Sequence, residues 1–134
     1  MTPFIHNGTE DTPTVKLDTS APELLIAERS LPEDAYEFYK PIFEWLEDYA
    51  KNPNEKTVFR FELEYFNTSS AKQLSKILLF LKSLDKEVEI IWCYQLDDID
   101  MFNSGKRFEK LTGLNFSMVS IPVIDDDDFT IITD

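Results

Sequence analysis

The most constraining feature of the sequence is an alternating segment, Thr57–Phe66, that is followed within a few residues by a helical one, Ser70–Leu84. In the first segment, aromatic and aliphatic side chains alternate with Arg and Glu, which is typical of a strand with one buried and one partly wet face. In the second segment, leucine and isoleucine recur at helical spacing. A strand that leads directly into a helix predicts a parallel sheet with right-handed crossovers.

The same succession recurs along the chain and predicts one α/β domain over residues 1–134. A leading hairpin is predicted from Thr14–Asp18 and Glu23–Arg29. The later elements alternate between helix and strand, and their predicted bounds are a helix from Ser30 to Ala50, strand Val88–Gln95, helix Asp100–Leu111 and strand Phe116–Val123. The order is therefore β-β-α-β-α-β-α-β, in a mixed β-sheet with helices mainly on one face.

Several boundaries depend on single residues. Ser30 is predicted to cap the first helix, with Glu33 completing a capping box. Pro41 predicts a kink or a late start for that helix, and Trp45 is predicted to be partly exposed, as a core or a partner contact. Residues 1–13 are predicted to form an irregular arm. Residues 125–134 are predicted to be an acidic tail, in which residues 129–132 are either a short final strand or an ordered tail.

The charge balance limits the classes of partner. The chain has 13 basic and 26 acidic residues, for a net charge of −13. Such a surface repels phosphate backbones and anionic membranes, so we expect neither nucleic acid nor membrane as a partner. The acidity is explained by solubility or by steering toward a basic protein. No segment has the pattern of a signal peptide or a membrane span, which predicts a cytoplasmic location.

The sequence offers few groups for catalysis or metal binding. His6 is the only histidine and Cys93 the only cysteine, and Cys93 is predicted to be a buried structural thiol. Nucleophilic catalysis therefore lacks its usual base. Asp97, Asp98 and Asp100 follow a strand and predict either a divalent-ion site or an ordinary helix cap. We expect no catalytic residue, no metal and no cofactor.

The junction between the two opening segments is crowded with polar side chains: Asn67, Thr68, Ser69 and Ser70. All four residues are of types that can cap a helix, yet one cap suffices. A helix start also favours anions, with Lys72 close enough to help. The residues alone leave three hypotheses open, which are a plain cap, an anion or ligand pocket, and a phosphorylation switch.

Beyond this point the sequence resembles a known family. The run Glu64–Lys72 is similar to the strand–loop–helix motif of the SiaC-like bacterial regulatory proteins, whose fold is similar to the STAS domains of anti-sigma-factor antagonists. Weaker similarities cover residues 9–124 and include Thr12-Pro13, Ser30–Glu37, Ile42–Leu46 and Trp92-Cys93-Tyr94. The chain departs from the family in its acidic tail and in Cys93.

The resemblance implies a switch protein and not an enzyme. In the family, the threonine at the position of Thr68 is phosphorylated by a dedicated kinase and dephosphorylated by a PP2C-like phosphatase. The unphosphorylated form binds and activates an effector, a diguanylate cyclase in the best-known systems. We therefore expect Thr68 to carry the phosphate and the kinase to bring the ATP.

Two groups of residues around Thr68 are expected to support this role. The residues expected to shape the loop and supply caps are Asn67, Ser69 and Ser70. The residues expected to form a polar partner-binding surface on the helix are Lys72, Gln73 and Lys76. Two alternatives stay open, which are a constitutive scaffold with Thr68 as a mere cap and a small metal-binding domain on the aspartates that follow residue 95.

Overall fold

The computed structural model describes residues 1–122, and this part of the chain forms one six-stranded sheet with three helices. The strands are β1 Phe4–His6, β2 Thr14–Leu17, β3 Leu24–Ser30, β4 Lys56–Phe66, β5 Glu87–Gln95 and β6 Asn115–Ile121. The helices are α1 Ala35–Tyr49, α2 Thr68–Lys82 and α3 Ile99–Thr112. Strand order in the sheet follows chain order. Neighbouring strands from β1 to β3 are antiparallel, and neighbouring strands from β3 to β6 are parallel.

The predicted mixed α/β fold and order of elements are confirmed, with one addition. Phe4–His6 pairs with β2 as a further strand, so the prediction of an irregular arm over residues 1–13 is wrong for this segment. Three residues are too few to display an alternating pattern, and their pairing depends on a distant partner. Both Asp125–Asp128 and Phe129–Ile132 lie outside the described residues.

The two faces of the sheet are best seen in β4. Phe59 and Phe61 are buried and their rings stack at a centroid distance of 4.6 Å. On the opposite face, Arg60 is only partly buried and lies 3.1 Å from a carboxylate oxygen of Glu62. Parallel strands that follow chain order with right-handed crossovers keep every helix on one side. The helices therefore cover the aromatic face, as predicted.

Helix α1 begins later than the sequence predicted. The prediction that Ser30 caps this helix is wrong, because Asp34 accepts a hydrogen bond from the Glu37 amide at 3.1 Å and the helix begins at Ala35. Ser30 is instead the buried last residue of β3. The helix contains Pro41 in its interior, so that proline does not set the helix start, and the late start predicted from it is wrong.

The end of β3 is shaped by an irregularity in the backbone. Glu28 has a φ of 78°, which is uncommon for a residue other than glycine. The pairing with β4 shifts register between Glu28 and Arg29, and Ser30 then lies opposite Phe66. As a result, the Ser30 carbonyl accepts a hydrogen bond from the Asn67 amide at 3.1 Å. The bulge thus brings β3 to the start of α2.

Candidate functional site

Helix α2 is capped by Asn67. Its side-chain oxygen accepts a hydrogen bond from the Ser70 amide at 2.9 Å, and its carbonyl accepts one from the Ala71 amide at 2.9 Å. The helix starts at Thr68, two residues earlier than predicted. Because Asn67 supplies the cap, the hypothesis that Thr68 is itself the cap is wrong.

Ser70 belongs to a buried hydroxyl cluster, which consists of Ser30, Tyr39 and Ser70. The Ser30 Oγ lies 2.7 Å from the Tyr39 phenol oxygen and 2.8 Å from the Ser70 Oγ. The Ser70 hydroxyl also donates to the Ser30 carbonyl at 3.0 Å. Burial raises the pKa of Tyr39 to about 12, although its hydrogen bonds to Ser30 and Ser70 act in the opposite direction. The cluster joins α2 to β3 and α1.

The remaining two hydroxyls of the junction are exposed and differ in their contacts. The Ser69 hydroxyl donates to the Asn67 side-chain oxygen at 3.2 Å. Within residues 1–122, the Thr68 hydroxyl has no hydrogen-bond partner. Thr68 therefore has the one exposed hydroxyl of this helix start that makes no hydrogen bond within the described residues.

The three predicted partner-binding residues lie in different environments. Lys72 and Lys76 are exposed, one and two turns beyond Thr68. Gln73 is only 8% exposed and lines a groove between α1 and α2. Its burial could have been found from the sequence, because Gln73 is four residues before Ile77 and falls on the apolar stripe.

The single histidine and the single cysteine have structural contacts. His6 lies in β1, where its Nε2 is 3.1 Å from the Thr12 hydroxyl and its ring packs edge-on against Phe38. Cys93 is buried in β5, as predicted. Burial raises the pKa of the Cys93 thiol, and the nearby Arg60 partly opposes that shift.

The aspartates after β5 form a helix cap. Asp98 accepts a hydrogen bond from the Met101 amide at 3.0 Å and caps α3. In the part of the chain that the structure describes, no group of three or more histidine, cysteine or acidic side chains could hold a metal ion. Of the two hypotheses for Asp97, Asp98 and Asp100, the geometry favours the cap.

Trp45 is buried, so the prediction of partial exposure is wrong. Its indole donates to the Thr2 carbonyl at 2.9 Å and its ring stacks on Tyr49. The interpretation as a core residue is the one that fits.

Among residues 1–122 there is also no helix whose length and apolar character would allow it to span a bilayer.

The sheet topology and the three helices define a small α/β domain with a hydroxyl-rich start of α2. The family model described as SiaC family regulatory phosphoprotein matches residues 6–121. The chain therefore belongs to the SiaC family. An uncharacterised protein of Pseudomonas aeruginosa strain UCBPP-PA14 is 30% identical over 90 residues, which cover 65% of this chain and 71% of the relative.

Solved structures give the same result at the level of the fold. Apo-SiaC from Pseudomonas aeruginosa matches with a TM-score of 0.80 and 25% identity, over 89% of this chain and 99% of that one. A crystal structure of the diguanylate cyclase SiaD in complex with its activator SiaC, also from Pseudomonas aeruginosa, matches with a TM-score of 0.81 and 24% identity. That match covers 88% of this chain and 99% of the solved chain.

Proposed function

We propose that this chain is a phosphorylation-controlled regulator that binds an effector protein while Thr68 is unphosphorylated. One observation carries the proposal: Thr68 is exposed and, among the described residues, its hydroxyl is unpartnered, whereas Asn67, Ser69 and Ser70 are hydrogen-bonded to one another or to β3. A kinase therefore meets an exposed hydroxyl that no hydrogen bond within the described residues occupies, beside side chains that are hydrogen-bonded.

The proposed cycle needs three partners. A protein kinase transfers the γ-phosphoryl group of ATP to the Thr68 Oγ1, which loses its proton, and ADP leaves. A PP2C-like phosphatase cleaves the new bond with water and restores the hydroxyl. The effector is a diguanylate cyclase, by analogy with the complex of SiaC and SiaD, and the chain acts on it as a regulator and not as an enzyme. We place the protein in the cytoplasm, where ATP is supplied.

The phosphate changes the surface that a partner meets. It adds about −1.5 to −2 charges at the first turn of α2, with Lys72 one turn away. Lys72, Gln73 and Lys76 extend from this turn along α2. A partner that contacts them loses electrostatic complementarity and meets added bulk when Thr68 is modified.

The experiment is peptide-resolved mass spectrometry on protein isolated from its native host, with and without phosphatase treatment. We expect a phosphate on Thr68 that disappears on treatment. Thr68→Ala should abolish the modification and keep effector binding, while Thr68→Glu should weaken binding. Ser69→Ala is the matched control, since it removes the neighbouring exposed hydroxyl. Equal effector affinity of the phosphorylated and unphosphorylated forms would contradict the proposal.

A further inference from the structure

A groove between α1 and α2 lies beside the candidate site. It encloses about 280 Å³. Its α1 wall consists of Tyr36, Lys40, Phe43, Glu44 and Glu47, and its α2 wall consists of Gln73 and Lys76. Tyr36 is 61% exposed at the rim, and Phe43 is half-buried. The groove therefore presents aromatic surface between two charged walls.

The groove and Thr68 belong to the same region of the fold. Helices α1 and α2 each follow a parallel strand, so both begin at the carboxyl edge of the sheet and run in the same direction. Gln73 is five residues beyond Thr68, which is roughly 8 Å along the helix axis. A chain lying in the groove would come close to the first turn of α2.

Gln73 gives the groove a specific polar group. Its side chain is more than nine-tenths buried and lines the groove. Within residues 1–122, its amide makes no hydrogen bond, yet it is not sealed off from solvent. An amide in this position has donors and an acceptor to offer, and leaving it unpaired under a bound partner would be unfavourable.

The charges along the groove change sign. On α1, Lys40 lies nearer the helix start, and Glu44 and Glu47 follow one and two turns later. Lys76 faces the groove from α2. In the described part of the chain, none of these four side chains forms an ion pair within 4.0 Å. Their charges are available to a partner, even though the whole chain is strongly acidic.

We propose that this groove docks an amphipathic segment of the effector protein. The apolar side chains of the segment pack between Tyr36 and Phe43, and a polar group bonds to the Gln73 amide. Its acidic residues face Lys40 and Lys76, and its basic residues face Glu44 and Glu47. Charge complementarity to these four side chains fixes the chemistry of the segment.

The inference rests on the proposed function and gives it a mechanism. A phosphoryl group on Thr68 adds negative charge at the start of α2, two turns from Lys76. That charge repels the acidic residues of the docked segment and also attracts the lysine that would hold them. Effector release then follows from electrostatics, with no change in the fold required.

The test is site-specific photo-crosslinking of the full chain in its native host. p-Benzoylphenylalanine replaces Tyr36 in one strain and Leu111 in the control strain; Leu111 is 59% exposed, on α3 and outside the groove. The crosslinked peptides are sequenced by mass spectrometry. Yields are compared in Lys40→Glu/Lys76→Glu and in Lys82→Glu/Lys110→Glu, which makes the same charge change outside the groove.

We expect a peptide that is captured from position 36 and not from position 111, with acidic residues beside an apolar crosslinked one. Its yield should fall about tenfold in the groove double variant and stay unchanged in the control double variant. A tenfold fall corresponds to a loss of about 1.4 kcal/mol of binding free energy. A basic peptide, equal losses in the two double variants, or no product from position 36 would overturn the inference.

Adding Thr68→Glu to the two crosslinking strains separates this inference from the proposed function. If capture from position 36 is unaffected by Thr68→Glu and by phosphorylation, the groove docks the segment and the phosphorylation switch fails. If a protein is captured only from position 111, and capture is lost in Thr68→Glu, the switch holds and the groove is wrong.

Discussion

Helices α2 and α3 begin at equivalent places, after neighbouring parallel strands, and their first turns differ in chemistry. Both are capped by an Asx side chain, since Asn67 accepts from the amide of Ser70 at 2.9 Å and Asp98 from the amide of Met101 at 3.0 Å. At α3 the cap is charged, and Asp100 adds a second acid in the first turn. At α2 the cap is neutral and the first turn contains no acid.

A single side chain is enough to cap each of these two helices. Capping therefore does not explain why Thr68 and Ser69 are present at the start of α2. The positive end of the α3 dipole already faces two carboxylates, whereas that of α2 faces none. In a chain with 26 acidic residues, the start of α2 is left able to accept negative charge. A phosphate on Thr68 would supply it.

The two helix starts are also anchored differently. At α3, the Trp92 indole donates to the Met101 carbonyl at 3.0 Å, and Gly105 lies against the indole ring. At α2, the anchor is the hydroxyl cluster around Ser70, with Tyr39 as its titratable member. One anchor is aromatic and tightly packed, and the other is polar and sensitive to protonation.

The largest expected effect comes from breaking the aromatic anchor with Gly105→Ala. A Cβ at this position would lie 2.6 Å from the Trp92 Nε1 and 2.9 Å from the Met118 terminal methyl, so either α3 or the buried Trp92 ring must shift. We expect a loss of about 3 kcal/mol in the free energy of unfolding, measured by urea denaturation. Asn103→Ala, on the exposed side of α3, is the control. A loss below about 1 kcal/mol would show that α3 is not held by this contact.

The next largest effect comes from the deprotonation of Tyr39 in the hydroxyl cluster. The pKa of Tyr39 is about 12 in the folded chain and 10.0 in the unfolded one, so between these pH values the unfolded state binds fewer protons. The contribution of Tyr39 to the free energy of unfolding is fully present below pH 10.0 and is lost as the pH rises toward about 12. The decline from this residue is about 2–3 kcal/mol.

Tyr39→Phe removes this decline, because phenylalanine has no proton to lose. Denaturation free energies of the wild type and the variant should therefore converge as pH rises over this range. Parallel curves would show that the Tyr39 phenol is not protected by the cluster.

The smallest effect concerns the missing charge at α2. Thr68→Glu places a carboxylate in an exposed first turn without acids, and we expect a gain of about 0.3–1 kcal/mol at low salt. Ile99→Glu is the matched change at α3, where Asp98 and Asp100 repel the new charge. It should gain less. Salt should reduce the gain in stability at α2. Equal gains at the two sites would show that the two helix starts do not differ in how well they accept negative charge.

The sequence predicted the features that depend on local patterns. The alternation in β4 defined its buried face through Phe59 and Phe61, and the polar run after Phe66 located the start of α2 to within two residues. Asn67 was one of four possible caps, because each of the four side chains is chemically able to cap a helix. Choosing among them needs the backbone geometry, which no local pattern contains.

Features that depend on distant contacts were missed. Ser30 followed by Glu33 is the pattern of a capping box, but pairing with β4 extends β3 to Ser30 and moves the helix start to Ala35. The hydroxyl cluster joins residues up to 40 positions apart, so its partners could not be inferred from spacing. The assignment of Thr68 as the phosphorylation site came from family resemblance and stays a prediction.

The hydroxyl cluster has a consequence for how Thr68 can be recognised. Its frame is completed by Ser30 from β3 and Tyr39 from α1, neither of which lies in the segment around Thr68. A synthetic decapeptide spanning residues 65–74 contains the acceptor hydroxyl but cannot reproduce this frame. We therefore expect the proposed kinase to recognise the folded surface around Thr68 and not a linear sequence motif. A scan of linear peptides is expected to miss this substrate.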